Sequence, residues 1–173
     1  MTAPFTIVTN CAAHAAEIAA ITQAAFAREY GSGDGEVALI ARLRADGDVA
    51  VELVAEANGE IVGHVMFSRL TVQPATLKVA ALAPVSTRID RQKSGIGSAL
   101  IREGLMRCKL QGFDAVTVLG DPAYYQRFGF APEPARVFDC AYAGSPFQAM
   151  EVREGALRGG RWKLTYPRAF EGV

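Results

Sequence analysis

Gly97, Leu100, Ile101, Gly104, Leu105 and Cys108 recur at i, i+3, i+4, i+7, i+8 and i+11, with Arg102, Glu103, Arg107 and Lys109 on the other side. On a helix of about 3.6 residues per turn that spacing is one apolar stripe. Gln111-Gly112 ends it, Gly112 being suited to the left-handed position that commonly follows a helix. A short apolar run, Ala115 to Leu119, comes next, and another from about Leu77 to Ser86 precedes the helix. Strand, helix, strand in that order requires a crossover, so the two strands are expected to lie parallel in one sheet.

The chain before this unit reads differently. Phe5 to Val8 predicts a first strand, and an alanine-rich helix follows with Ile18, Ile21, Thr22, Ala25 and Phe26 at helical spacing. The glycines from Gly31 to Gly35 break it, and a short helix from about Glu36 to Arg44 carries Val37, Ile40 and Leu43 on one face. Val51 to Ala57 and Glu60 to Leu70 flank Asn58-Gly59, the pair that favours a type I′ hairpin. With the Leu77 strand they form a three-stranded antiparallel meander. Beyond it, Asp121-Pro122 starts a short helix through Tyr124 and Tyr125, and Ala149 to Val152 and Trp162 to Tyr166 read as late strands. No linker or repeat divides the chain, so residues 1–173 are expected to form a single α+β domain.

Composition narrows the function. Eighteen basic residues balance eighteen acidic ones, whereas nucleic-acid and membrane surfaces normally demand a basic face. Cys11, Cys108 and Cys140 have no C-x-x-C spacing, and two histidines fifty residues apart add no metal set. The N-terminus lacks a basic leader with a long apolar core, and no apolar run approaches the roughly 18 residues of a membrane span. The expectation is a cytoplasmic protein with no metal, no nucleic-acid partner and no membrane partner.

Between the third strand and the helix lies Gln92-Lys93-Ser94-Gly95-Ile96-Gly97. Its glycines permit positive φ or close approach, so several backbone N–H groups can converge on an anion at the helix N-terminus. Arg88, Arg91 and Lys93 could reach outer phosphates. No G-x-x-x-x-G-K-[ST] string is present, and Leu100 occupies the third glycine position of a G-x-G-x-x-G fingerprint. The turn alone leaves a phosphate cradle, a nucleotide-binding interaction protein and a plain strand-to-helix connection all open.

Two motifs together are more specific. Leu82-Ala83-Pro84-Val85 followed by Gln92-x-x-Gly95-x-Gly97-Ser98-Ala99-Leu100-Ile101 resembles the [Q/R]-x-x-G-x-[G/A] motif of the GNAT superfamily of acyl-CoA N-acyltransferases. Asp121-Pro122-Ala123-Tyr124-Tyr125-Gln126-Arg127-Phe128-Gly129-Phe130 resembles that superfamily's aromatic-Tyr-x-x-x-Gly-Phe signature, in the style of its bacterial N-acetyltransferase branch. The resemblance runs from about Phe5 to Pro132. It implies a GNAT-like α+β fold: a mixed, mostly antiparallel sheet flanked by helices, with a splayed parallel pair in the centre and the cofactor in the cleft.

By that resemblance acetyl-CoA is the acyl donor and a primary amine, small-molecule or peptidyl, is the acceptor, attacking directly in a ternary complex. Backbone groups of Val85, Ser86 and Thr87 would hold the pantetheine arm as an added strand. Gln92, Lys93, Ser94, Gly95, Ile96, Gly97 and Ser98 would hold the pyrophosphate, and the Val85 N–H would face the oxyanion. Thr87 departs from the apolar residue usual there, and Ile89 from a frequent proline.

Tyr125 occupies the general-acid position, where a phenol can donate to the departing thiolate. Tyr124 is read as packing. No base stands out. His64 reads as a core residue beside Val62 and Met66, Glu29, Asp34 and Glu36 as solvated charges near the acceptor loop, and Ser86 as a group that could order a water. Trp162 and Tyr166 could line an acceptor pocket or a homodimer seam, with packing the plainer reading. A non-catalytic acyl-CoA sensor on the same fold is the alternative function.

Overall fold

The computed structural model describes residues 4–9, 12–144 and 146–173; Cys11 lies outside them. Six strands form the main sheet in the order β1-β2-β3-β5-β6-β8: β1 (Thr6–Thr9), β2 (Val49–Ala57), β3 (Glu60–Arg69), β5 (Val79–Thr87), β6 (Ala115–Leu119) and β8 (Phe147–Glu151). Every neighbouring pair is antiparallel except β5 and β6, the pair that the crossover helix demands. Asn58 and Gly59 both have positive φ (53° and 78°), as a type I′ turn requires. The expected mixed sheet is therefore present, with its parallel pair one step off centre.

Helices cover both faces. On one lies α3 (Ile96–Leu110), whose Leu100, Ile101, Gly104, Leu105 and Cys108 are buried against β2, β3 and β5. The approach is close. A Cβ on Gly104 would sit 2.1 Å from Cε2 of Phe67, and one on Gly63 of β3 would sit 2.7 Å from Cγ2 of Ile96. On the opposite face α1 (Ala15–Tyr30) and α2 (Asp34–Asp46) bury Ile18, Ile21, Leu39, Ile40 and Leu43 over Val54 and Met66. Sandwiched between both layers, β3 is buried from Ile61 to Ser68, so its sequence is apolar on both faces apart from His64 and Ser68 rather than alternating.

Three features differ from the sequence reading. The third meander strand starts at Val79 rather than Leu77, because the Lys78 N–H donates to the Asp114 carboxylate (2.8 Å) outside the ladder. Before it the chain makes a detour through β4 (Thr71–Gln73), which pairs with β9 (Trp162–Thr165); β9 in turn pairs with β7 (Phe138–Asp139) in a separate three-stranded sheet. Thus the Trp162 strand exists but lies outside the main sheet. Two short helices, α4 (Pro122–Tyr125) and α5 (Pro132–Ala135), follow β6.

Candidate active site

The parallel pair parts early. Val79, Ala80, Ala81 and Leu82 run beside Ala115, Val116, Thr117 and Val118, whereas β5 continues alone to Thr87. Pro84 sits at the parting and has no N–H to offer a ladder. On the other side β5 stays bonded to β3. The Arg88 N–H donates to the Val62 carbonyl (2.9 Å), and bonded and non-bonded pairs alternate along an antiparallel ladder. Opposite Gly63 and Val65, Thr87 and Val85 are therefore non-bonded pairs. Their N–H and C=O groups turn to the edge that β6 has left. Ser86, between them, faces inward, 3.1 Å from the Thr22 hydroxyl of α1.

That edge leads into the glycine turn. Lys93 (φ 60°) and Gly95 (φ 87°) are both left-handed, with the Ser94 hydroxyl donating to the Arg91 carbonyl between them. The first helical bond is Ala99 N–H to Gly95 C=O (3.0 Å), so the N–H groups of Ile96, Gly97 and Ser98 have no acceptor within α3, and no side chain caps it. A helix this long adds about 0.3–1 kcal/mol of attraction for an anion there. The Gln92 amide reaches back to the Thr87 carbonyl (3.4 Å). Gln92 to Ser98 thus form one continuous turn at the start of α3. Arg88 is committed elsewhere, to Asp90 (2.6 Å) and Glu60 (2.9 Å).

Beyond β6, the Asp121 carboxylate accepts from the Ala123 N–H (2.9 Å) and caps α4. The two tyrosines diverge. Tyr125 packs edge-on to Phe130 and against Gly120, where a Cβ would sit 2.4 Å from its Cε2. Burial, then the charges of Tyr124, Tyr30 and Glu29, raise its phenol well above the ordinary tyrosine value. Its hydroxyl makes no hydrogen bond within the described residues and is not sealed from solvent. Tyr124 is held edge-on to Tyr125 (4.9 Å between centroids) and under the Arg127 guanidinium (4.4 Å). Gly120 and Gln148 are the supports that sequence reasoning missed. Fully buried Gln148 donates to the Gly120 carbonyl (3.1 Å).

His64 lies fully buried on the α1–α2 face beside Met66, while Val62 joins the core under α3. Its Nε2 donates to Glu52 (2.8 Å), which Arg44 also bonds, and its Nδ1 has no partner. Burial lowers the imidazole's pKa despite Glu52. A register shift between Ala55 and Glu56 sets Val54 opposite His64 and makes Glu52 its diagonal neighbour; the unshifted hairpin read from Asn58-Gly59 would have put Leu53 there instead. Of the acidic residues, Glu29 ends α1 and Asp34 and Glu36 begin α2. Trp162 and Tyr166 pack in the core under the small sheet; the indole donates to Thr76 (2.8 Å), and the Tyr166 hydroxyl bonds Thr117 (2.8 Å). Among the described residues no acidic, His or Cys cluster could hold a metal, and no helix is long and apolar enough to cross a membrane.

This geometry has relatives. A family model described as an acetyltransferase (GNAT) domain matches residues 12–132. The Escherichia coli protein named uncharacterized N-acetyltransferase YhbS is 34% identical over 84% of this chain and 89% of its own length. The crystal structure of YhbS, titled as a complex with CoA, superposes with a TM-score of 0.85 at 31% identity, covering 98% of this chain and 93% of that one. A GNAT family acetyltransferase from Brucella melitensis, titled as a complex with acetyl-CoA, gives a TM-score of 0.79 at 32% identity over 98% and 100% of the two chains.

Proposed function

The chain belongs to the acetyltransferase (GNAT) family and is an N-acetyltransferase, and from that premise we propose how its own residues perform the transfer. The donor is acetyl-CoA, in keeping with the CoA and acetyl-CoA titles of the two related structures. One observation carries the reading: the edge of Val85 and Thr87 that β6 leaves runs straight into the uncapped N-terminus of α3. An amide-bearing arm laid along that edge completes the ladder β6 abandoned, while its diphosphate meets the turn from Gln92 to Ser98 and the free N–H groups of Ile96, Gly97 and Ser98.

The acetyl group then lies at the parting of β5 and β6, its carbonyl oxygen toward the Val85 N–H, which stabilises the developing oxyanion. The acceptor's neutral amine attacks the carbonyl carbon. The C–N bond forms, the C–S bond breaks, and the amine's surplus proton leaves through water. The departing thiolate accepts a hydrogen bond from the Tyr125 phenol and takes its proton from solvent. A thiol near pKa 8.5 is a stronger acid than a tyrosine near 10. A phenol raised further by burial therefore remains protonated throughout the working range and acts by hydrogen-bond donation as sulfur gains charge.

Tyr125→Phe keeps the ring on Gly120 and removes the donor. It lowers kcat by about 10²-fold, within the usual range for a positioned acid, and leaves the CoA dissociation constant within twofold. Unchanged turnover would remove the residue from the reaction. The acceptor is a small or peptidyl amine, taken up on the α1 side, where Tyr30 and Glu29 are near enough for their charges to act on the Tyr125 phenol. Acetylation of a panel of both kinds, read by CoA release, separates them. A cytoplasmic address, a single domain over 1–173 and a homodimer are the accompanying expectations, checked by fractionation, limited proteolysis and light scattering.

A further inference from the structure

Thr87 and Tyr124 come from distant parts of the chain yet meet at one point. A Cβ on Gly97 would lie 3.5 Å from the Thr87 hydroxyl and 3.5 Å from the Tyr124 hydroxyl. The two oxygens thus flank the first turn of α3, no farther apart than twice that distance. Both residues are half-buried. Among the described residues neither hydroxyl makes a hydrogen bond within the protein, and neither oxygen is sealed from solvent. The Tyr124 ring is not free to wander. Tyr125 and Phe128 meet it edge-on (4.9 and 5.5 Å), and Arg127 both covers its face and donates to its own carbonyl (2.9 Å). A fixed ring that spans the gap from α4 to α3 is poor use of a phenol if packing were its only role, since phenylalanine would pack equally well.

We propose that Tyr124 and Thr87 are binding residues, a pair of hydroxyls beside the first turn of α3 that donates to the diphosphate of CoA next to the backbone N–H groups. This rests on the assignment of the β5–β6 cleft to acetyl-CoA. The turn offers backbone N–H groups; the hydroxyls add side-chain donors beside them, with the Arg127 guanidinium stacked on the Tyr124 ring adding positive charge at the same corner. Hydrogen bonds to a charged acceptor are about twice as strong as neutral ones, so each hydroxyl contributes to cofactor affinity rather than to chemistry. Tyr124 thereby differs in role from its neighbour Tyr125.

The test uses Tyr124→Phe and Thr87→Val, which preserve shape, with circular dichroism and melting to verify the fold. Calorimetry of the wild type with CoA comes first. No heat there sinks the cleft assignment and this proposal with it. Given wild-type binding, each variant raises the CoA dissociation constant about tenfold while kcat at saturating acetyl-CoA stays within threefold. Acetyl-pantetheine, which lacks the diphosphate, is the second donor, and with it the variants' loss in kcat/KM shrinks to less than threefold. Wild-type affinity for CoA in Tyr124→Phe overturns the proposal. So does an equal loss with both donors, which would move the contact to the pantetheine arm.

Discussion

Substituting Gly104 by alanine sets two opposing effects against each other. At an open position inside a helix, glycine to alanine stabilises by roughly 0.5–1 kcal/mol, because the unfolded chain loses freedom. At Gly104 the new methyl would lie 2.1 and 2.6 Å from Cε2 and Cζ of Phe67, against about 3.5–4.0 Å for a relaxed carbon pair. Phe67 is fully buried, so its ring has no solvent to turn into, and either it or the helix must move by about an ångström. Such overpacking costs about 1–3 kcal/mol, occasionally more, and outweighs the propensity gain. The expected net loss is about 1–2 kcal/mol. At about 2–4 °C per kcal/mol for a domain of this size, Tm falls by about 2–8 °C. Because α3 carries the glycine turn, KM for acetyl-CoA rises as well. Phe67→Leu in the Gly104→Ala background makes room, so the double variant loses less than the sum of the two single losses by about 1 kcal/mol. A Gly104→Ala protein that melts at or above the wild-type temperature would refute the reasoning.

Two more outcomes can be checked in solution. Burial holds the His64 imidazole below the usual histidine value, whereas in the unfolded chain it titrates near about 6.5. Below that pH the unfolded state binds the proton that the folded state resists, so stability is lost as pH falls. Burial alone would raise the Glu52 carboxyl, but the bonds from His64 and Arg44 hold it below its ordinary value, so its contribution disappears in a second, more acid step. His64→Gln should flatten the Tm profile between pH 7.5 and 5.5; an unaltered slope would exclude His64 as its source. Burial also pushes the Cys108 thiol up to about 12, so mass-resolved alkylation at pH 8 should label it only after denaturation.

Most of the sheet and both long motifs were legible because they depend on local rules. The i, i+3, i+4 stripe of α3 places its own buried face, Asn58-Gly59 writes its own hairpin, and the crossover forces β5 and β6 parallel. The small sheet was not legible, since Thr71–Gln73 gains strand character only from pairing with Trp162–Thr165, far along the chain. At the site, the glycine turn could be read from spacing, and Tyr125 was singled out by the family resemblance. Tyr124, Gly120 and Gln148 could not, because their roles arise from contacts across elements: a hydroxyl at Gly97, a ring against a missing side chain, an amide on a loop carbonyl. Likewise Glu52 seemed an isolated charge among Val51, Leu53 and Val54 until Arg44 and His64 closed around it.

The small sheet also bears on the order of events during synthesis. The turn, the β5 edge and both tyrosines are complete by Phe130, yet β4 has no partner until β9 emerges near the other end of the chain, and β6 stays an open edge until β8 arrives. Contacts so distant in sequence form late, and an unpaired edge invites the wrong neighbour in the meantime. A nascent chain on the ribosome thus displays the glycine turn and both tyrosines well before the scaffold can hold them still, and the two sheets close only once β8 and β9 have emerged.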